Sequence, residues 1–233
     1  PELVLFSGTQ LGKDLAPRLA QRFDAGCVTD VTVIDKTDSG LEFVRPAYGG
    51  TILERLFVSG PIRFATVRSG SFEKPEAAEG SVEEKDMPFA EDILKAKVLD
   101  AAKEITEAID LEGADVIVTG GRGMGDAEGF KLVEELAALL GGVVGASRPA
   151  IEAGWASRAH QVGQSGKIVA PRLYIACGVS GAMQHVSGIM GSKYIVAINK
   201  DEAASIFDIA DVGIVGDVKE ILPLLIEEIK KRK

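Results

Sequence analysis

An α/β architecture follows from three features of this 233-residue sequence. Short apolar runs alternate with segments whose apolar residues recur at helical spacing, most regularly from about residue 112 onward. Those runs are apolar without a polar face, as strands of a parallel sheet covered on both sides must be. Turns rich in glycine follow several of them, at the strand ends where open parallel sheets hold ligands. The expected molecule is therefore a C-terminal parallel sheet with helices on both faces, preceded by part of an N-terminal α/β domain.

Taken in order, Leu3 to Phe6 reads as a strand and Ser7-Gly8-Thr9 as a turn. Leu11, Leu15, Leu19 and Phe23 then mark an amphipathic helix. Val28 to Ile34 is rich in β-branched residues and reads as one strand. Leu41 to Arg45, Thr51 to Val58 and Ile62 to Arg68 follow as strands with no helix between them. That pattern suggests a parallel sheet with an antiparallel edge. From Ser71 to Phe89 prolines and an acidic cluster interrupt any apolar period, so this stretch reads as a linker. The expected division is residues 1–89, a partial N-terminal domain with its linker, and residues 90–233. A helix is expected over about 90–109. Strands at Val116 to Val118, Val143 to Ala146, Ile168 to Val169, Leu173 to Cys177, Tyr194 to Ile198 and Val212 to Val215 follow. They are interleaved with helices at Phe130 to Leu140, Ser180 to Ile189 and Val218 to Lys230.

Composition narrows the function. A net charge of −9 leaves no basic face with which to neutralise phosphates of a nucleic acid. The basic tail from Lys230 to Lys233 is explained by its place at a helix C-terminus. No apolar run is long enough to span a bilayer, and no stable membrane insertion is expected. Two cysteines, Cys27 and Cys177, are too few for a disulfide framework and read as reduced core residues, which with the missing secretory signal points to the cytoplasm. The chain opens Pro1-Glu2-Leu3-Val4 straight into a strand, so we expect it to start partway through a longer protein.

Four loops have the composition of a binding site. Thr119-Gly120-Gly121-Arg122-Gly123-Met124-Gly125 matches neither a dinucleotide fingerprint nor a P-loop, yet it allows close backbone approach beside a cation. A flexible turn with a solvated arginine is the other reading. Ser147 and Arg148 follow a strand directly and suit an anionic group, or simply solvent. Gln161, Val162, Gly163, Gln164 and Ser165, with Gly166 and Lys167, form a loop able to meet the edge of a flat polar ring. Gly178-Val179-Ser180-Gly181-Ala182 joins a strand to a helix whose N-terminus suits a pyrophosphate, with His185 one turn in. Asn199 and Asp217 end two further strands and suit ribose hydroxyls, though either could be a helix cap. Together these loops describe a dinucleotide site without fixing the nucleotide. No acid/base pair or metal-ligand cluster is apparent, and His160 and His185 are the only histidines.

The same loops resemble the FAD-binding domain of the alpha subunit of electron transfer flavoproteins. The resemblance runs through Val118 to Gly123, Gly145 to Arg148, Gln161 to Lys167, Gly178 to His185, Ile198 to Asp201 and the Ala210-Asp211 to Asp217 stretch. Leu3 to Phe72 looks like the later part of that family's N-terminal domain. The resemblance implies a heterodimer with an electron transfer flavoprotein beta subunit, in which this subunit holds most of one FAD. It also implies contacts to FAD from Arg122, Gly123, Ser147, Arg148, the Gln161 to Ser165 loop, Ser180, Gly181, Ala182, Met183, Gln184, His185, Asn199, Asp217 and Val218. Arg148 and Ser165 are implied to lie near the flavin's reactive edge and His185 near its pyrimidine end. Three positions depart from the family pattern: Ser165 for threonine, Ser205 for proline and Val212 for an aromatic. The function implied is an electron carrier without substrate chemistry of its own. It would take electrons from flavin dehydrogenases, such as acyl-CoA dehydrogenases, and pass them to a quinone reductase or another acceptor. The alternatives are a nicotinamide- or thiamine-type enzyme on the same sheet type, or an assembly subunit holding its nucleotide structurally.

Overall fold

The computed structural model describes residues 1–73, 76, 80, 83–86 and 109–232. The 89/90 boundary, much of the linker and all but the last residue of the helix expected over 90–109 lie outside these residues. Residues 1–72 and 109–232 pack as one unit.

The N-terminal segment comprises β1 (Leu3–Ser7), α1 (Gln10–Arg22), β2 (Gly26–Val31), β3 (Val33–Thr37), β4 (Gly40–Ala47), β5 (Ile52–Phe57) and β6 (Arg63–Val67). Thr9 caps α1, its hydroxyl accepting from the Gly12 amide at 3.2 Å. β6 lies between β1 and β2, parallel to both. The remaining strands, β3-β4-β5, do not form an antiparallel edge on that sheet; they make a three-stranded antiparallel sheet of their own. The expected single strand from Val28 to Ile34 is accordingly two. At its centre Asp30 adopts φ 63° and the β2–β6 register shifts. The Thr32 amide then donates to Val44 of β4, committing the chain to the second sheet.

From residue 116 the chain alternates strand and helix: β7 (Val116–Gly120), α2 (Ala127–Leu140), β8 (Val143–Ala146), α3 (Arg148–Glu152), β9 (Leu173–Cys177), α4 (Met183–Val186), β10 (Ile195–Asn199), β11 (Val212–Val215) and α5 (Val218–Arg232). The five strands are parallel in the order β11-β10-β9-β7-β8. The direction of winding reverses between β7 and β9, which makes their carboxyl ends the topological switch point. α2 and α5 cover one face, burying Phe130, Val133, Leu136, Leu222 and Ile226 against Val118, Ile175 and Ile198. Asp126 caps α2 through the Gly129 amide at 2.7 Å, and Gly141 ends it in the left-handed conformation. On the other face Ile117, Tyr174, Ala176 and Ala197 pack with Val162, Val169, Ile189 and Ile206, which belong to loops and short turns.

Two expected elements differ here. Ile168 and Val169 are not a strand; the Val169 amide donates to the Gly188 carbonyl beside α4 instead of joining the sheet. The helix expected from Ser180 to Ile189 is the single turn Met183–Val186. Gly178 and Gly181 hold positive φ of 63° and 87°, which keeps the chain out of a helix until Ala182.

Candidate functional site

A cleft of about 900 Å³ opens across the carboxyl ends of all five parallel strands. That is the size of a pocket for a large organic ligand. Nearly every site residue named from the sequence lines it: Arg122, Gly123, Ser147, Arg148, the run Gln161 to Ser165, Ser180, Ala182, Gln184, His185, Asn199, Asp217 and Val218. Gly181 and Met183 do not line it. Gly181 is set behind the wall, where a Cβ would come 2.1 Å from the Ile206 amide nitrogen, and Met183 is exposed toward Gly49.

Backbone hydrogen bonds lace the loops together. The Gly121 amide donates to Cys177 and the Gly123 amide to Gly178, at 2.8 and 2.9 Å, so the turns after β7 and β9 are held edge to edge. No side chain could stand at Gly123, where a Cβ would lie 2.7 Å from the Gly178 Cα. The Ser147 amide donates to Gly120, while its hydroxyl is buried without a partner. Arg148 opens α3, mostly exposed, with Nε donating to Glu152 at 2.7 Å. The 161–167 loop closes on itself. Val162 pairs with Ala146, Gly163 with Lys167, and the Gln164 amide donates to the Gln184 carbonyl at 2.7 Å. Inside it Gln161 Nε2 donates to the Ser165 hydroxyl at 2.8 Å.

On the facing side Asn199 Nδ2 donates to the Val179 carbonyl at 2.8 Å and Oδ1 accepts from the Asp201 amide, so this side chain fixes two cleft loops. Asp217 caps α5, accepting from the Lys219 amide at 2.8 Å. The long helix that presents its N-terminus to the cleft is thus α5, through Val218, and not the segment at Ser180. With α4 reduced to one turn, the helix-terminus argument for an anion at Ser180 does not hold. Glycine-rich backbone takes its place.

His185 is buried at the cleft wall. Its Nε2 lies 2.9 Å from the Tyr174 hydroxyl, and its Nδ1 has no hydrogen-bond partner. Burial lowers its pKa to about 4, against a smaller opposing effect of the Val162 backbone. Burial likewise raises Tyr174, and raises Cys177 to about 12, so both stay protonated. Neither cysteine is bonded to another, and Cys27 is only partly buried. Among the described residues no cluster could hold a metal ion, and no helix is long and apolar enough to cross a membrane.

Sequence reasoning missed Lys200, Asp201, Ala203, Ala204 and Ser205 as lining residues. Lys200-Asp201 directly follows β10 and could have been found by the strand-end rule. Ala203 to Ser205 reach the cleft only because Ile206 donates back to the Ser180 carbonyl, a contact with no sequence pattern.

The arrangement suits a long, partly anionic, partly flat ligand. The glycine turns admit close backbone approach, and Arg122, Arg148 and Lys200 supply positive charge. Ser147 Oγ and His185 Nδ1 are polar atoms that the protein leaves unpaired at the wall, where a ligand would satisfy them.

Comparison with known proteins agrees with this chemistry. Residues 110–190 match the family model of the electron transfer flavoprotein FAD-binding domain, and residues 1–92 that of the electron transfer flavoprotein domain. The electron transfer flavoprotein subunit alpha of Thermoanaerobacterium thermosaccharolyticum is 47% identical over 238 residues, spanning 100% of this chain and 72% of that protein. The subunit of the same name from Bacillus subtilis is 45% identical, over 99% of this chain and 71% of its own length. Protein FixB of Clostridium saccharobutylicum is also 45% identical, with 99% and 71% coverage.

Proposed function

The chain belongs to the electron transfer flavoprotein alpha-subunit family, and on that premise we propose how its residues serve electron transfer. Its cofactor is FAD. The observation that carries the reading is the cleft itself, which crosses the carboxyl ends of five parallel strands and is lined largely by the segment matched to the FAD-binding domain.

When bound, FAD supplies a ring that takes up and releases electrons. The protein's part is to seat and tune it. Arg122, Gly123, Ser180 and Ala182 face the pyrophosphate with backbone amides and one guanidinium. Asp217, at the start of α5, accepts from ribose, and Asn199 keeps the neighbouring loops in register. Ser147 offers its unpaired hydroxyl. Because Ser165 accepts from Gln161, its own hydroxyl proton is free to donate to the ring's reactive edge. Arg148 stands beside that edge and favours added negative charge. Its Nε is tied to Glu152 and it is mostly exposed, so solvent weakens its effect. His185 lies at the pyrimidine end, with Gly163, Val162, Gln164, Gln184 and Val218 completing the surround.

The partner is an electron transfer flavoprotein beta subunit. Donors are flavin dehydrogenases, acyl-CoA dehydrogenases among them, and a quinone reductase or another acceptor receives the electrons. The setting is the cytoplasm, and the chain transforms no substrate of its own. The nicotinamide- or thiamine-type enzyme is not favoured by these relatives. The test is to mix the alpha–beta complex with a reduced acyl-CoA dehydrogenase and follow the flavin absorbance. Rapid bleaching, reversed by an added electron acceptor, is the expected result. A flavin that a panel of reduced dehydrogenases leaves oxidised would reject the carrier role.

A further inference from the structure

The carboxyl ends of the first parallel sheet, β1-β6-β2, open onto a second cavity of about 590 Å³. Gly8 and Thr9 follow β1, Arg68 and Ser69 follow β6, and Asp30 lies near the end of β2; all five line it. Strand ends of this kind are where parallel sheets hold ligands. The far wall is formed by Glu112, Arg158 and much of the 161–167 loop. Its charge is opposite to that of the chain. Although the molecule carries a formal charge of −9, four basic side chains line this cavity against two acidic ones. Both acids are already taken. Asp30, at a left-handed φ of 63°, accepts from Arg68 Nε and Nη2 at 2.9 and 2.6 Å, and Glu112 lies 3.5 Å from Lys167 Nζ. Lys13 and Arg158 have no acidic partner among the described residues. In a concave site, two uncompensated cations focus a positive potential on whatever enters.

We propose that this cavity binds a compact phosphate-bearing anion, and that its occupancy is felt at the neighbouring cleft. The cations come from α1, from the end of β6 and from the 158–167 segment. That spread suits the tetrahedral oxygens of a phosphate better than a planar carboxylate. A nucleobase or other flat ring would find no platform here. The described walls carry no aromatic side chain, and Ile168 is their one large apolar residue. Gln161, Gln164 and Ser165 line this cavity and the larger cleft alike, so one loop stands between the two. Gln161 is buried and bonded to Ser165 at 2.8 Å, and the Gln164 amide is anchored to the Gln184 carbonyl at 2.7 Å. An anion held on one side of this loop therefore bears on the side chains presented to the other. That coupling rests on reading the cleft as the flavin site.

Calorimetric titration of inorganic pyrophosphate into the FAD-loaded alpha–beta complex, at ionic strength fixed with KCl, tests the site. Saturable binding of one pyrophosphate per alpha chain is expected, weakened about tenfold or more by Arg158→Gln and likewise by Lys13→Gln. Neither residue lines the flavin cleft, and neither side chain makes a hydrogen bond or ion pair among the described residues, so both variants should fold and keep their flavin. No saturable heat, or full affinity in both variants, would overturn the proposal. Flavin difference spectra recorded along the same titration test the coupling. The bands should shift with the midpoint of the heat, and at correspondingly higher pyrophosphate in the variants. Bands that stay unmoved while the site fills would overturn the coupling. The heats do not depend on flavin. A colourless complex that binds pyrophosphate through Lys13 and Arg158 would reject the flavin reading of the cleft and leave the anion site standing.

Discussion

His185 is held neutral by burial, and that has a consequence for acid stability. Its folded pKa of about 4 lies below the ordinary 6.5 that the unfolded chain would show. Between those values the unfolded state binds a proton that the folded state refuses, so stability is present in full above pH 6.5 and falls on acidification, the loss being complete below about 4. At roughly 1.36 kcal/mol per pH unit the gap corresponds to about 3 kcal/mol. Replacing His185 with Gln should therefore flatten the fall in unfolding free energy between pH 6.5 and 4 by about that amount, measured by denaturant titration at each pH. Identical slopes would show that His185 is not the group responsible. The place of His185 in the cleft wall was legible from its position just past a glycine-rich strand end. Tyr174 was not, because inside an apolar strand a tyrosine reads as packing, and its contact depends on how the 179–185 segment folds back.

Elements were legible where pattern and local chemistry agreed. α2 shows helical periodicity, an Asp cap and a left-handed glycine stop, and α5 shows an Asp cap and a basic last turn. Where two signals competed, the sequence misled. Val28 to Ile34 is uniformly β-favouring, and only the positive φ at Asp30, secured by Thr66 and Arg68, divides it between two sheets. Ser180 to Ile189 has helical spacing, but the backbone required by Gly181 delays the helix. α5 closes one face of the sheet through Leu222, which is fully buried with Val133, Leu136 and Ile198 in the same core. Leu222→Ala should cost about 2–5 kcal/mol, since the cavity it leaves faces packed strands that cannot collapse into it. The urea midpoint should fall with its slope unchanged. A shift below about 1 kcal/mol would mean that α5 packs less closely than described.

For the molecule as a whole, the parallel sheet is what brings the site together. Loops more than ninety residues apart in sequence, from Arg122 to Asp217, reach one cleft because most of them follow a strand whose carboxyl end points the same way. That rule let most of the lining be read from strand ends alone. It could not reveal Ala203 to Ser205, which arrive by tertiary folding. Nor could it place the second sheet, since β3-β4-β5 and a sheet edge share one sequence pattern. The visible absorption spectrum of the purified chain, co-expressed with its beta subunit, is the most direct check on the function assigned to this cleft. Flavin bands near stoichiometric with the chain, lost or greatly diminished in a Gly123→Val variant that still folds, are the expected outcome. A folded, colourless complex that takes up no added FAD, or flavin retained in full when Gly123 is filled, would mean that the cleft does not hold it.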